Sequence, residues 1–171
     1  MRCGDWERLC VIDGLGHGPL AASASLQALE VFRAAGASVT PGEIIGRCHA
    51  ALKSTRGAVM AVAGINVRTG RLQFAGVGNI AVAVHSSQGV QHLTSTAGIV
   101  GYNMRDVREQ DRAWRAGDIM VLSTDGLSGR SSLERYPGLA RCHPALIASV
   151  LHRDHGRDND DATVVIARDP R

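Results

Sequence analysis

The chain has 171 residues and a mass of 18.1 kDa, the length of one domain and enough to bury about 70% of its unfolded surface without disulfides. Hydrophobic residues make up 44% and charged residues 20%, which excludes a disordered or coiled-coil chain. Nineteen Lys and Arg against sixteen Asp and Glu leave a net charge of +3, with two Trp, two Tyr and two Phe, so neither a basic run nor an aromatic stacking surface predicts a nucleic-acid partner.

Residues 9–12 form an apolar run that ends in Asp13-Gly14, the pattern of a buried strand entering a turn. Residues 19–35 are rich in Ala and Leu, with Leu20, Ala24, Ala28 and Val31 spaced for one helical face and Gly36 as the stop. Thr40-Pro41-Gly42-Glu43 is a capping box that opens a second helix through Ile44, Ile45, Cys48, Ala51 and Leu52. The period then changes to two. Val59, Ala61, Ala63, Ile65 and Val67 alternate with partners that are also mostly apolar, which predicts a strand covered on both faces. Arg68-Thr69-Gly70-Arg71 reads as a hairpin turn. Strands at 72–75, 80–84 and 90–93 continue an antiparallel meander. Residues 107–114 and 119–122 form a further strand pair around Ala116-Gly117-Asp118. A helix opens at His143-Pro144, and 162–167 is the last strand. This order is not regular βαβ alternation, so an α+β fold of antiparallel sheet with helices packed on it is expected. With no repeat or linker, residues 1–171 read as a single domain.

No apolar stretch reaches spanning length, and Asp5 and Glu7 interrupt any signal-like pattern at the N-terminus. A cytoplasmic protein without a membrane partner is expected. Cys3, Cys10, Cys48 and Cys142 lack CxxC spacing and read as thiols in a reducing compartment, not as a zinc site.

Three acidic marks punctuate the strands. They are Asp13-Gly14-Leu15-Gly16-His17-Gly18, Asp125-Gly126 after an apolar run, and Asp158-Asn159-Asp160-Asp161 before another. Each alone is an ordinary turn or solvated loop. Gathered at strand ends, such carboxylates repel one another, and a hard divalent cation offsets that repulsion. Oxygen donors without a Cys/His set point to magnesium or manganese. The glycine spacing after Asp13 is wrong for a dinucleotide loop. Arg47, Lys53, Arg56 and the basic residues of 105–115 read as a solvated face or as contacts for an acidic partner.

These motifs resemble the metal-dependent type 2C protein serine/threonine phosphatases (the PPM superfamily). The likeness is closest to their bacterial SpoIIE-like branch and its RsbX-type stress-signalling phosphatases. It rests on Cys3-Gly4-Asp5-Trp6, the Asp13 to Ala22 segment, Phe74-Ala75-Gly76-Val77-Gly78-Asn79-Ile80, Ser123-Thr124-Asp125-Gly126-Leu127 and Asp160-Asp161-Ala162-Thr163. It implies a four-layer αββα sandwich of two antiparallel sheets flanked by helices. It also implies two Mn2+ or Mg2+ ions. Asp13 would bridge them, Asp125 and Asp160 would complete one site, and Asp5 with the Gly14 carbonyl would serve the other. Asp161 would orient the ligands from behind.

The implied activity is hydrolysis of phosphoserine or phosphothreonine by a metal-activated water. The implied substrate is a STAS-domain regulator of a partner-switching or stress-response module. His17 is a candidate proton donor, although the eukaryotic members carry their histidine at the position of Leu15. The short run from Asp5 to Asp13, with its turn placed at Glu7-Arg8, keeps a second expectation open, a weak pseudophosphatase that binds a phosphoprotein without turnover. The irregular segments 96–105 and 128–141 are expected to shape substrate choice.

Overall fold

The computed structural model describes residues 1–128 and 133–169. They form two antiparallel sheets with flanking helices, the expected α+β class. Two compact units divide the chain, 1–80 with 94–114, and 81–93 with 115–171. Each is built from two chain segments. No helix among the described residues is long and apolar enough to cross a membrane.

The first unit holds a five-stranded sheet in the order β1-β2-β3-β4-β7, from Arg2–Cys3, Trp6–Gly14, Ala58–Asn66, Arg71–Val77 and Glu109–Ala113. Its helices are α1 (Pro19–Ala34) and α2 (Pro41–Ala51). Nearly every β3 residue is buried, as its two-sided apolar pattern demands. α2 begins where its capping box predicts. The Thr40 backbone N–H donates to Glu43 at 2.8 Å and the Glu43 N–H donates to Thr40 Oγ1 at 3.3 Å. Glu109 of β7 adds a third acceptor for this helix start, 2.8 Å from the Gly42 N–H.

α1 buries Ala21, Ala24, Ala28 and Phe32, whereas Leu20 is 59% exposed, so its inner face is rotated from the expected one. Three small alanines let the helix lie close to the sheet, and Phe32 fills the wider end beside Ile44 and Ile45. The connector between the helices is held by Arg8. Its buried guanidinium donates to the carbonyls of Gly36 (2.8 Å), Ala37 (2.7 Å) and Val39. Arg8 is thus a mid-strand residue. The chain turns at Gly4-Asp5, where Gly4 has φ +62°, and not at Glu7-Arg8, because burying this arginine satisfies connector carbonyls that would otherwise lack donors.

The second unit holds the sheet β6-β5-β8-β9, from Gly89–Leu93, Ala81–Ser86, Ile119–Ser123 and Val164–Arg168. α3 (Pro144–His155) buries Ile147 and Leu151 in a cluster with Ile119, Val121, Leu133 and Leu139. The expected single meander is therefore broken, since β4 and β5 belong to different sheets. The expected 107–114 and 119–122 pairing also fails; β7 pairs with β4, and β8 with β5 and β9. Burial explains the difference. All five β8 residues are buried and need neighbours on both sides, whereas β7 alternates toward solvent and serves as an edge.

Candidate functional site

In the first unit, Asp13 and Gly14 are the last two residues of β2, opposite Val59 and Ala58 of β3. They extend the strand and do not form the expected turn. A Cβ on Gly14 would lie 2.1 Å from the Ala21 carbonyl oxygen and 2.7 Å from Ser25 Oγ. Glycine is required here because α1 sits directly on the strand end. The half-buried Asp13 is thus held by strand pairing on one side and a helix on the other. The Leu15 N–H donates to the Gly57 carbonyl at 3.0 Å, and His17 is exposed in the loop that enters α1. Gly78, with φ +94°, brings the end of β4 to the same place; a Cβ on it would lie 2.2 Å from Val59 Cγ1.

Asp5 does not join this group. It lies in the β1–β2 turn, at the other end of β2, and pairs with Arg68 Nε at 2.7 Å. Asp13 lies eight residue steps along the extended chain from it, about 26 Å at strand rise. A ligand set built on Asp13 therefore excludes Asp5.

In the second unit, the other two motifs meet. β8 and β9 run antiparallel with Ser123 opposite Val164, so the segment leaving β8 and the segment entering β9 share one sheet end. The Thr124 N–H donates to the Thr163 carbonyl at 3.2 Å, and the Thr163 N–H donates to Thr124 Oγ1 at 3.0 Å. A Cβ on Gly126 would lie 2.1 Å from the Asp161 carbonyl oxygen. The Arg157 N–H closes the loop onto the Gly126 carbonyl at 2.8 Å. Asp125, Asp160 and Asp161 are exposed on these loops, and Asp160 Oδ1 accepts the Asp161 N–H at 2.9 Å.

Each unit thus carries an aspartate-glycine pair at a sheet end whose glycine admits another backbone to contact. Among the described residues no three His, Cys, Asp or Glu side chains already form a metal cage. The donor chemistry nonetheless fits a hard divalent cation, being carboxylates with an adjacent backbone carbonyl and no thiolate. Burial pushes the thiol of Cys10 up to about 11, and burial with the nearby Cys10 pushes that of Cys48 up to about 12. Both stay protonated at neutral pH and are poor metal ligands.

The expected specificity segment 96–105 lines a cavity of about 980 Å³ in the first unit, with Ser95, Thr96, Asn103, Arg105 and Arg108 on its walls. Of the second segment, residues 129–132 lie outside the described residues. Arg56, read from sequence as part of a solvated basic face, lies against Gly16. Forty residues separate the two, so no local pattern could have joined them.

The family profile for Stage II sporulation protein E (SpoIIE) matches residues 6–169. Phosphoserine phosphatase RsbX of Bacillus subtilis (strain 168) is 29% identical over 130 residues, 75% of this chain, and the match spans 65% of that relative's length. A chain solved in connection with the bacterial stressosome, a modular system adapted to control secondary messenger signalling, is 31% identical with a TM-score of 0.86. That alignment covers 98% of this chain and 88% of the other. RsbX in complex with magnesium superposes with a TM-score of 0.72 at 21% identity, covering 97% and 86%; at that identity it speaks for the fold. The chain belongs to the Stage II sporulation protein E (SpoIIE) family.

Proposed function

We propose that the chain is a divalent-metal-dependent phosphatase acting on phosphoserine or phosphothreonine of a regulatory protein. The observation that carries this reading is the pair of aspartate-glycine strand ends, each packed too tightly for a side chain beyond glycine. Such packing sets the position of Asp13 at the end of its strand and ties the loop that carries Asp125 to the segment that carries Asp161. In this reading Asp13, the Gly14 carbonyl, Asp125 and Asp160 hold Mn2+ or Mg2+, as one or two ions. Bound there, the cation would supply charge neutralisation of the phosphoryl oxygens and a water of lowered pKa.

The chain's own residues do the rest. Strand-borne Asp13 sets the position of the charge. Asp161 offers its backbone N–H to Asp160 Oδ1 and so orients that carboxylate. His17, exposed beside Asp13 in sequence, is the candidate donor of a proton to the departing seryl oxygen. The likeness to a phosphoserine phosphatase supports this substrate class. A STAS-domain regulator of a partner-switching module is the substrate the resemblance names.

A second reading is favoured by Asp5. Its place at the far end of β2 removes one carboxylate from the implied two-ion set. The chain would then bind a phosphoprotein with little turnover. Phosphate release from a phosphoserine peptide in Mn2+, read beside peptide binding, separates the two. Release that stops on chelation is the expected result. Tight binding without release would establish the second reading, and neither binding nor release would remove both.

A further inference from the structure

We propose that Arg56 holds the phosphoryl group of the substrate beside Asp13, a role that rests on the phosphatase reading and deepens it. Arg56 follows α2 in sequence, yet its Nη1 lies 2.7 Å from the point a Cβ on Gly16 would occupy. The guanidinium therefore lies on the bare backbone of the loop between Asp13 and α1. Gly16 has φ +86°, and any side chain there would displace the arginine.

The backbone that carries Arg56 is fixed on both sides. Thr55 Oγ1 donates to the Leu52 carbonyl at 2.8 Å and accepts the Gly57 N–H at 3.0 Å. The Gly57 carbonyl accepts the Leu15 N–H at 3.0 Å, and Ala58 pairs with Gly14. Arg56 is therefore tied through its next two residues to the strand end that bears Asp13. The arginine itself is exposed. Among the described residues it has no carboxylate or hydrogen-bond partner; the four ion pairs found there involve Arg2, Arg68, Arg71 and Arg153. The first turn of α1 carries no acidic side chain to compete for it.

A planar guanidinium with five N–H donors matches two phosphoryl oxygens at once, which an ammonium cannot do. A solvated surface arginine has no reason to rest on a glycine loop one residue from an aspartate-glycine strand end. Lys53, in the same stretch, has no atom within 4 Å of a Cβ built on Gly16 or Gly18 and is the internal control.

The test uses the full chain in Mn2+ with Arg56→Ala, Arg56→Lys and Lys53→Ala. Inorganic phosphate is the probe, with its binding read by calorimetry. KM and kcat for a phosphoserine peptide and the Mn2+ affinity are read alongside. Arg56→Ala should weaken phosphate binding about ten- to a hundredfold and raise KM, while Mn2+ affinity and melting temperature stay at wild type. Arg56→Lys should recover part of the loss, and Lys53→Ala should lose nothing. Unchanged phosphate binding in Arg56→Ala overturns the proposal. So does an equal loss in Lys53→Ala, a parallel loss of Mn2+ affinity, or a wild-type chain that does not bind phosphate. Arg56-dependent phosphate binding without peptide turnover would keep this role and reject the phosphatase reading. Turnover with phosphate binding indifferent to Arg56 would do the reverse.

Discussion

The two units present aspartates in different ways. In the first, Asp13 belongs to a paired strand, is half-buried, and is followed by a glycine pressed against a helix. In the second, Asp125, Asp160 and Asp161 are exposed on loops tied to each other by a few backbone bonds. The contrast separates two tasks. A ligand that must set a position gains from a rigid strand, and ligands that must close around a cation gain from loops able to adjust. The same contrast runs along β2 itself. Its middle carries Arg8, which holds the helix connector, and its end carries Asp13.

The largest stability effect should come from the middle of β2. Arg8→Met leaves at least three connector carbonyls without their donor, a loss of about 3–5 kcal/mol in urea unfolding. A loss below 1 kcal/mol would show that the connector holds without it. Next, Gly14→Ala forces a Cβ against the Ala21 carbonyl of a packed helix and should cost about 2–3 kcal/mol. Gly126→Ala meets the Asp161 carbonyl of an exposed loop. It should cost less in melting temperature while still reducing phosphate release, because the loop can shift and carry Asp160 with it. Equal melting losses in the two variants would break the rigid-versus-adjustable distinction.

The smallest effect concerns pH and belongs to the second unit alone. His85 of β5 is half-buried, and its Nε2 has no hydrogen-bond partner among the described residues. Burial holds its pKa below the usual histidine range, Glu134 pulls it partly back up, and His92 pushes it down. The unfolded chain therefore takes up a proton near pH 6.5 that the folded chain resists. The stability this histidine contributes is present above that pH and is lost as pH falls toward the folded value. The urea midpoint should drop between pH 7.5 and 5.5, and His85→Phe should flatten that part of the profile. An unchanged slope would assign the acid sensitivity to other groups.

Local signals were legible in the residues and non-local ones were not. The capping box at Thr40, the turn before Arg71 and the two-sided apolar strand read at 59–67 each act within a few residues, and each stands where the pattern put it or, for the strand at 58–66, one residue away. The switch of sheet between β4 and β5 depends on which edges bury β8, a matter of residues 40 apart. The aspartate-glycine motifs were visible as motifs. That Asp13 ends a strand, that Gly126 meets Asp161, and that Arg56 lies on Gly16 all come from packing. Asp5 misled because Gly4-Asp5 is itself a good turn. The chain used it as one, since placing the turn at Glu7-Arg8 would have exposed Arg8 and left the connector carbonyls unpaired.

The most direct measurement is phosphate release from a phosphoserine peptide in Mn2+ by the wild-type chain and by Asp13→Asn, with melting curves for both. The substitution keeps the shape of the side chain and removes the charge. The account predicts a fall of about a thousandfold or more in rate, weaker Mn2+ binding and an unchanged fold. Full activity in Asp13→Asn would contradict it, because the end of β2 would then hold no metal that the reaction needs.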